Sequence, residues 1–129
     1  MSAYLLDTHT LLWWWGDPER LSPRALGLIR DPANAIAVSA ATAWEISTKH
    51  RIGKLPDHGG LIADFDRRLV EDGFARLPIS VDQALRAGSL PGDHRDPFDR
   101  MLAAQGLIAD MVIIGRDCGM DGFGVKRVW

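Results

Sequence analysis

The chain has 129 residues, 47% of them hydrophobic and 25% charged, with a formal net charge of −2. That length and balance describe one globular domain (residues 1–129) and exclude collagen-like, disordered and disulfide-scaffold classes, while the near-even charge excludes a wholesale electrostatic grip on nucleic acid but not a local basic patch. The one cysteine, Cys118, has no internal disulfide partner, no apolar run approaches the ~20 residues of a membrane span, and the opening MSAYLLDTHTLLWWW lacks the basic start of a secretion signal, so a cytoplasmic protein with no membrane role is expected.

No internal repeat or low-complexity tract is present. Short apolar runs instead alternate with longer helical stretches, the signature of a parallel sheet covered on both faces. Ala3 to Leu6 reads as the first strand, followed directly by a helix from about Thr8 to Trp15. Ser22-Pro23 opens the next helix, with Ser as N-cap and Pro at the first helical position, and Asp31-Pro32 closes it. Ala35 to Val38 is the second strand, after which Ser39 caps a helix running to about Ile52 and ended by Gly53. Leu61, Ile62, Phe65 and Leu69 repeat at helical spacing and predict a helix over Leu61–Asp72. Phe74 to Ile79 reads as a strand, and Ser80 with Gln83 forms a capping box for a helix to about Ala87. Pro97 to Ile108 is the clearest amphipathic helix, Met111 to Ile114 a buried strand and Val125 to Trp129 a final short one. The sum is an α/β fold with about five parallel strands.

Charges that interrupt apolar runs are the informative ones. Asp7 is the only carboxylate between Met1 and Gly16, and it stands where the first strand ends. Glu45 is the only charge between Ala35 and Thr48, inside the helix after the second strand. Burying a carboxylate costs several kcal/mol unless it is paired, hydrogen-bonded or bound to a metal. Open α/β sheets bind ligands beyond the carboxyl ends of their strands, which is where Asp7, Glu45 and Asp117 (just past Met111–Ile114) fall. Asp99 lies in the first turn of the helix feeding that last strand, an end expected to point the other way, so its position depends on how the helix packs back. Crowded carboxylates repel, and a divalent cation relieves them; oxygen ligands without clustered Cys or His suit Mg²⁺ or Mn²⁺. Each acid also has a purely structural reading: Asp7 as a helix cap, Glu45 as an exposed helix position, Asp96 and Asp99 as first-turn acids, Asp117 as a turn residue.

The pieces LLDTHTLLWW, SAATAWEISTKHRIGKLP, LPGDHRDPFDRMLAAQ and IIGRD…GVKRVW, in that order, resemble a PIN-domain protein, and more narrowly the VapC-type toxins of bacterial type II toxin–antitoxin modules. The resemblance covers nearly the whole chain. It implies a three-layer α/β/α fold and a Mg²⁺- or Mn²⁺-dependent endoribonuclease held in check by a VapB-type antitoxin, with a homodimer expected. By motif it assigns Asp7 to the acid ending the first strand and Glu45 to the acid in the helix after the second. Asp99 matches the acid opening the DRMLAA helix, and Asp117 the acid after the fourth strand. All four are expected as catalytic metal ligands. One departure stands out: such proteins often carry Ser or Thr two residues before the last acid, where this chain has Gly115, so a hydroxyl that could orient the site is missing.

Trp13, Trp14 and Trp15 sweep about 200° of helix surface, so one core-facing stripe cannot hide all three. Two are expected inside and one partly exposed, where it would suit a protein interface. Trp44 and Trp129 are expected to fill core. Lys49, His50, Arg51 and Lys54 suit a helix C-terminus through its dipole, or with Arg100 and Arg116 an RNA backbone path. Two further functions compete with the nuclease. A haloacid-dehalogenase-like phosphotransferase wants an Asp two residues after its nucleophile, where this chain has His9; a non-catalytic binding module would have no need of four acids.

Overall fold

In a parallel sheet covered on both sides, successive strand residues face opposite layers and both must be apolar. The computed structural model, which describes residues 3–129 apart from the side chain of His58, has that arrangement. Among the described residues five strands form one sheet: β1 (Ala3–Leu6), β2 (Ala35–Ser39), β3 (Ala75–Leu77), β4 (Val112–Ile114) and β5 (Arg127–Val128). Their order is β3-β2-β1-β4-β5 and every pairing is parallel, with Leu5 opposite Ala37 on one side and Ile113 on the other. Leu6, Ile36, Val38 and Ile114 enter one apolar cluster, while their neighbours Leu5, Ala37 and Ile113 enter another. Helices cover both, giving the three-layer α/β/α arrangement that the resemblance implies; the first two residues of the expected 1–129 span lie outside the described residues. Among those residues no helix is long and apolar enough to cross a membrane.

The helices are α1 (Thr8–Gly16), α2 (Pro23–Arg30), α3 (Ala40–Arg51), α4 (Phe65–Asp72), α5 (Val81–Ser89) and α6 (Pro97–Ile108). Local chemistry starts them where it should. Ser22 accepts from the Ala25 N–H and Ser39 from the Ala41 N–H. Ser80 and Gln83 make both bonds of the capping box, at 3.1 and 3.0 Å. The helix predicted over Leu61–Asp72 begins four residues late. Gly59 and Gly60 hold positive φ of 65° and 75°, and the Asp57 carboxylate takes the Ile62 N–H, so the chain turns before it coils. Leu61 is buried all the same, which is why its spacing read as helical. The strand predicted over Phe74–Ile79 shrinks to β3, because the Phe74 N–H returns to Leu69 O and Pro78 has no N–H to offer. A short 3₁₀ helix at Cys118–Phe123 was not foreseen.

Two sequence expectations are corrected by packing. Trp44 is 58% exposed rather than in the core, resting edge-on against Phe98 with ring centroids 4.9 Å apart. Trp13, Trp14 and Trp15 are all half-buried, instead of two inside and one out. Each meets a different neighbour: Trp13 packs on Trp129, Trp14 on Phe74 and Trp15 on Phe65. The Trp14 and Trp15 indole N–H groups both donate to one Asp72 oxygen, at 3.1 and 2.8 Å.

The crossover from β3 to β4 carries two helices, and that decides where Asp99 goes. Arg100 near the start of α6 donates to Ala87 O and Leu90 O at the end of α5, whereas Gln105 further along reaches Gln83 near the start of α5 and Pro78 O. The two helices are therefore antiparallel. Gln105 also accepts from Ser39 at the carboxyl end of β2, so α6 begins beyond the carboxyl edge of the sheet and descends past it. With this packing, which the sequence left open, the first turn of α6 stands at the carboxyl edge of the sheet.

Candidate active site

The strand order reverses beside β1, between the β2–β3 half and the β4–β5 half, and the crevice at that switch is the expected ligand position. Asp7 occupies it. Its N–H donates to Ile114 O of the neighbouring strand, its Oδ1 accepts the Thr10 N–H at 2.8 Å, and the residue is 6% exposed. Asp7 is thus a helix cap as well as a candidate ligand. Its Oδ2 faces Gly115. A Cβ built on Gly115 would lie 2.9 Å from the Asp7 Cγ and overlap the carboxylate, so the glycine makes room for the acid in this position. Burial pushes the Asp7 pKa above its ordinary value against the pull of the Thr10 hydrogen bonds, and the Glu45 charge adds to the rise.

Glu45, 3% exposed, approaches from α3. The Thr8 hydroxyl donates to its Oε1 at 2.6 Å, and Lys49, one turn on, pairs with its Oε2. Partial burial works against the Lys49 charge, but Glu45, with Asp96 and Asp99 further out, holds its pKa above the ordinary value. Lys49 therefore faces the acids and is not free for an RNA path. Asp99 comes from α6, its Oδ2 at 2.9 Å from His94 Nε2. Burial raises its pKa despite that histidine, and the charges of Asp96 and Glu45 raise it further. Asp96 caps α6 by accepting from the Phe98 and Asp99 N–H groups.

The four expected acids thus divide. Asp7, Glu45 and Asp99 form an electrostatically linked series with Glu45 at its centre. Asp117 is exposed, and its Oδ1 accepts the Gly119 N–H at 2.8 Å, the turn role that the sequence allowed. It shares with Asp7 a cleft of about 440 Å³ whose other walls are His9, Trp13, Arg20 and Arg116. Arg100 is withdrawn from the expected RNA path, since its guanidinium is spent on the carbonyls of Ala87, Leu90 and His94.

The donor set fits Mg²⁺ or Mn²⁺. Asp7 and Asp99, whose pKa values burial raises, are groups that a cation would relieve, and such ions keep several waters while leaning on one or two carboxylates. Among the described residues no group of three or more Asp, Glu, His or Cys side chains stands close enough to hold a metal ion. Sequence reasoning missed Thr8 and His94 as partners of the acids. The Lys49–Glu45 pair had a legible signal in its i,i+4 spacing.

A family model described as PIN domain matches residues 4–123. Ribonuclease VapC16 of Mycobacterium tuberculosis (strain ATCC 25618 / H37Rv) is 39% identical over 57 residues, a stretch covering 44% of this chain and only 39% of that relative. A chain in the crystal structure of VapBC2 from Rickettsia felis bound to a DNA fragment from their promoter superposes with a TM-score of 0.71 at 14% identity, covering 98% of each chain. A chain of a toxin–antitoxin complex from Klebsiella pneumoniae gives 0.61 at 19% identity, covering 98% of this chain and 96% of that one. At such identities the structural likeness concerns the fold.

Proposed function

The chain belongs to the PIN-domain family, and from that premise we propose that it is a divalent-metal-dependent endoribonuclease, the toxin of a type II toxin–antitoxin module. The observation that carries the reading is the pair of buried acids Asp7 and Glu45, with half-buried Asp99 beyond them, at the sheet's switch point. Asp7, Glu45 and Asp99 would hold Mg²⁺ or Mn²⁺, with Asp117 beside Asp7 at the open side. The ion, when bound, supplies an activated water and charge for an in-line phosphoryl displacement. The chain's own residues prepare the place. The Thr10 N–H fixes one oxygen of Asp7, the Thr8 hydroxyl and the Lys49 ammonium hold the two oxygens of Glu45, and His94 holds Asp99. No side-chain nucleophile is required.

The partners follow from the same reading. They are an RNA substrate, a VapB-type antitoxin and a second copy of this chain, in the cytoplasm. That the Klebsiella chain of similar fold comes from a toxin–antitoxin complex supports the antitoxin. Purified protein free of antitoxin, given total cellular RNA with Mg²⁺, Mn²⁺ or chelator, is expected to cut only with metal, and Asp99→Asn is expected to abolish cutting. A folded protein that cuts with neither metal would put a non-catalytic binding module in its place.

A further inference from the structure

The cleft between Asp7 and Asp117 is walled by cations as well as acids, and its two arginines have different histories. Arg20 is committed, its Nε lying 2.7 Å from the Asp17 carboxylate. Arg116 is not: among the described residues it pairs with no carboxylate and donates to no carbonyl, and its guanidinium carbon sits 4.8 Å from the centroid of the Trp13 ring. Trp13 packs in turn against His9 and Trp129, with ring centroids 5.7 and 5.8 Å apart, so the guanidinium rests on a ring that has aromatic neighbours of its own. The backbone that delivers it is equally tied. The Gly115 N–H donates to Val128 O, and Arg127 donates to Gly115 O at 2.9 Å.

A guanidinium with five N–H donors, pre-oriented and unpaired, at the rim of a cleft floored by carboxylates is suited to an anion that has to lie next to those carboxylates. We infer that Arg116, held by Trp13, contacts a backbone phosphate of the RNA strand adjacent to the one being cleaved. This rests on the nuclease reading and adds to it the residue that seats the strand. A phosphate contact of this kind positions the chain without reading bases, so it serves any target sequence. It also supplies attraction at the one place where Asp7 and Asp117 would repel the polyanion.

The test combines two measurements on wild type, Arg116→Ala, Arg116→Lys and Arg20→Ala. Cleavage kinetics with Mn²⁺ on a fluorescein-labelled, mixed-sequence single-stranded RNA separate KM from kcat. Fluorescence anisotropy of the same RNA in EDTA, over a series of salt concentrations, gives the salt slope of binding. Arg116→Ala is expected to raise KM by about tenfold or more, the cost of a lost charged hydrogen bond, with the effect on KM rather than kcat. Its log–log salt slope should flatten by about 0.7, the share of one phosphate on a single strand. Arg116→Lys should fall between, keeping the charge but not the fork, and Arg20→Ala should change less than either. A wild type that cleaves while Arg116→Ala keeps its KM and salt slope, or loses only kcat, overturns the inference alone. A wild type that neither cuts nor binds the RNA overturns the nuclease reading, and this inference with it.

Discussion

The two sides of the Asp7 crevice solve opposite problems. On the α3–α6 side, Glu45 is buried and Asp99 half-buried, and each is met by a side chain of the protein itself, the Lys49 ammonium for one and the His94 ring nitrogen for the other. On the side beyond β4, Asp117 stands in solvent, occupied with the Gly119 N–H, and the nearby cation Arg116 rests on an aromatic ring instead of an acid. Burial makes the difference. A carboxylate removed from water has to be compensated by the fold, whereas an exposed one is compensated by solvent and leaves its neighbouring cation unspent. Under the proposed nuclease reading, the first side would exchange the Lys49 ammonium for a metal and the second would receive a polyanion.

The sharpest way to break that contrast is at the residue between the two sides. Asp7→Asn keeps a good helix cap and removes the charge. Cleavage is expected to fall beyond the roughly 10- to 100-fold typical of losing an outer partner of a metal site. Stability should move the other way. Because burial raises the folded-state pKa of Asp7, the stability tied to its protonated form is complete below the unfolded value near 3.9 and is lost as pH rises through the folded one. Asp7→Asn, always neutral, avoids that loss. Thermal melts in EDTA should show the variant equal to wild type near pH 4 and more stable near neutrality; the reverse sign would mean that the fold welcomes the Asp7 charge.

Removing the stand-in cation tests the buried side directly. Lys49→Met leaves Glu45 charged and buried without its partner. A fully buried pair broken in this way costs about 3–5 kcal/mol. With 34% of the Lys49 side chain in water the expected loss is smaller, about 1–3 kcal/mol. The distinguishing readout is metal: Mn²⁺ should raise the melting temperature of Lys49→Met more than that of wild type, because the ion takes the position that the ammonium held. Equal shifts would show that Lys49 and the metal do not compete for Glu45.

How much of this was legible follows from how local each determinant is. The strand–helix alternation and the caps at Ser22, Ser39 and Ser80 depend on a few neighbouring residues, and they stand where the chain predicts them. Asp7 and Glu45 were visible because a charge inside an apolar run has to be explained. The placement of Asp99 stayed open because it depends on the antiparallel α5–α6 hairpin, a contact between segments that the local pattern does not connect. Trp44 carries the same letter as a core residue, and only the packing of α3 shows that its side is open. Arg100 and Arg116 looked equivalent in sequence; three backbone carbonyls consumed one and an indole ring kept the other available.

The mildest expected effect falls on the exposed side, and it decides whether the contrast is functional or only structural. Asp117→Asn keeps the side-chain oxygen that caps the Gly119 N–H, so the melting temperature should not move, as for most surface changes within about ±0.5 kcal/mol. An acid that solvent already compensates gains less from a metal than a buried one does. Cleavage should therefore drop by less than about tenfold, short of the loss at Asp7. Mn²⁺ affinity measured by calorimetry should change in the same proportion as cleavage. A loss as deep as that of Asp7→Asn would mean that Asp117 leaves its cap and turns into the cleft when the ion binds. The two sides would then be one ligand shell, distinguished only in the metal-free protein.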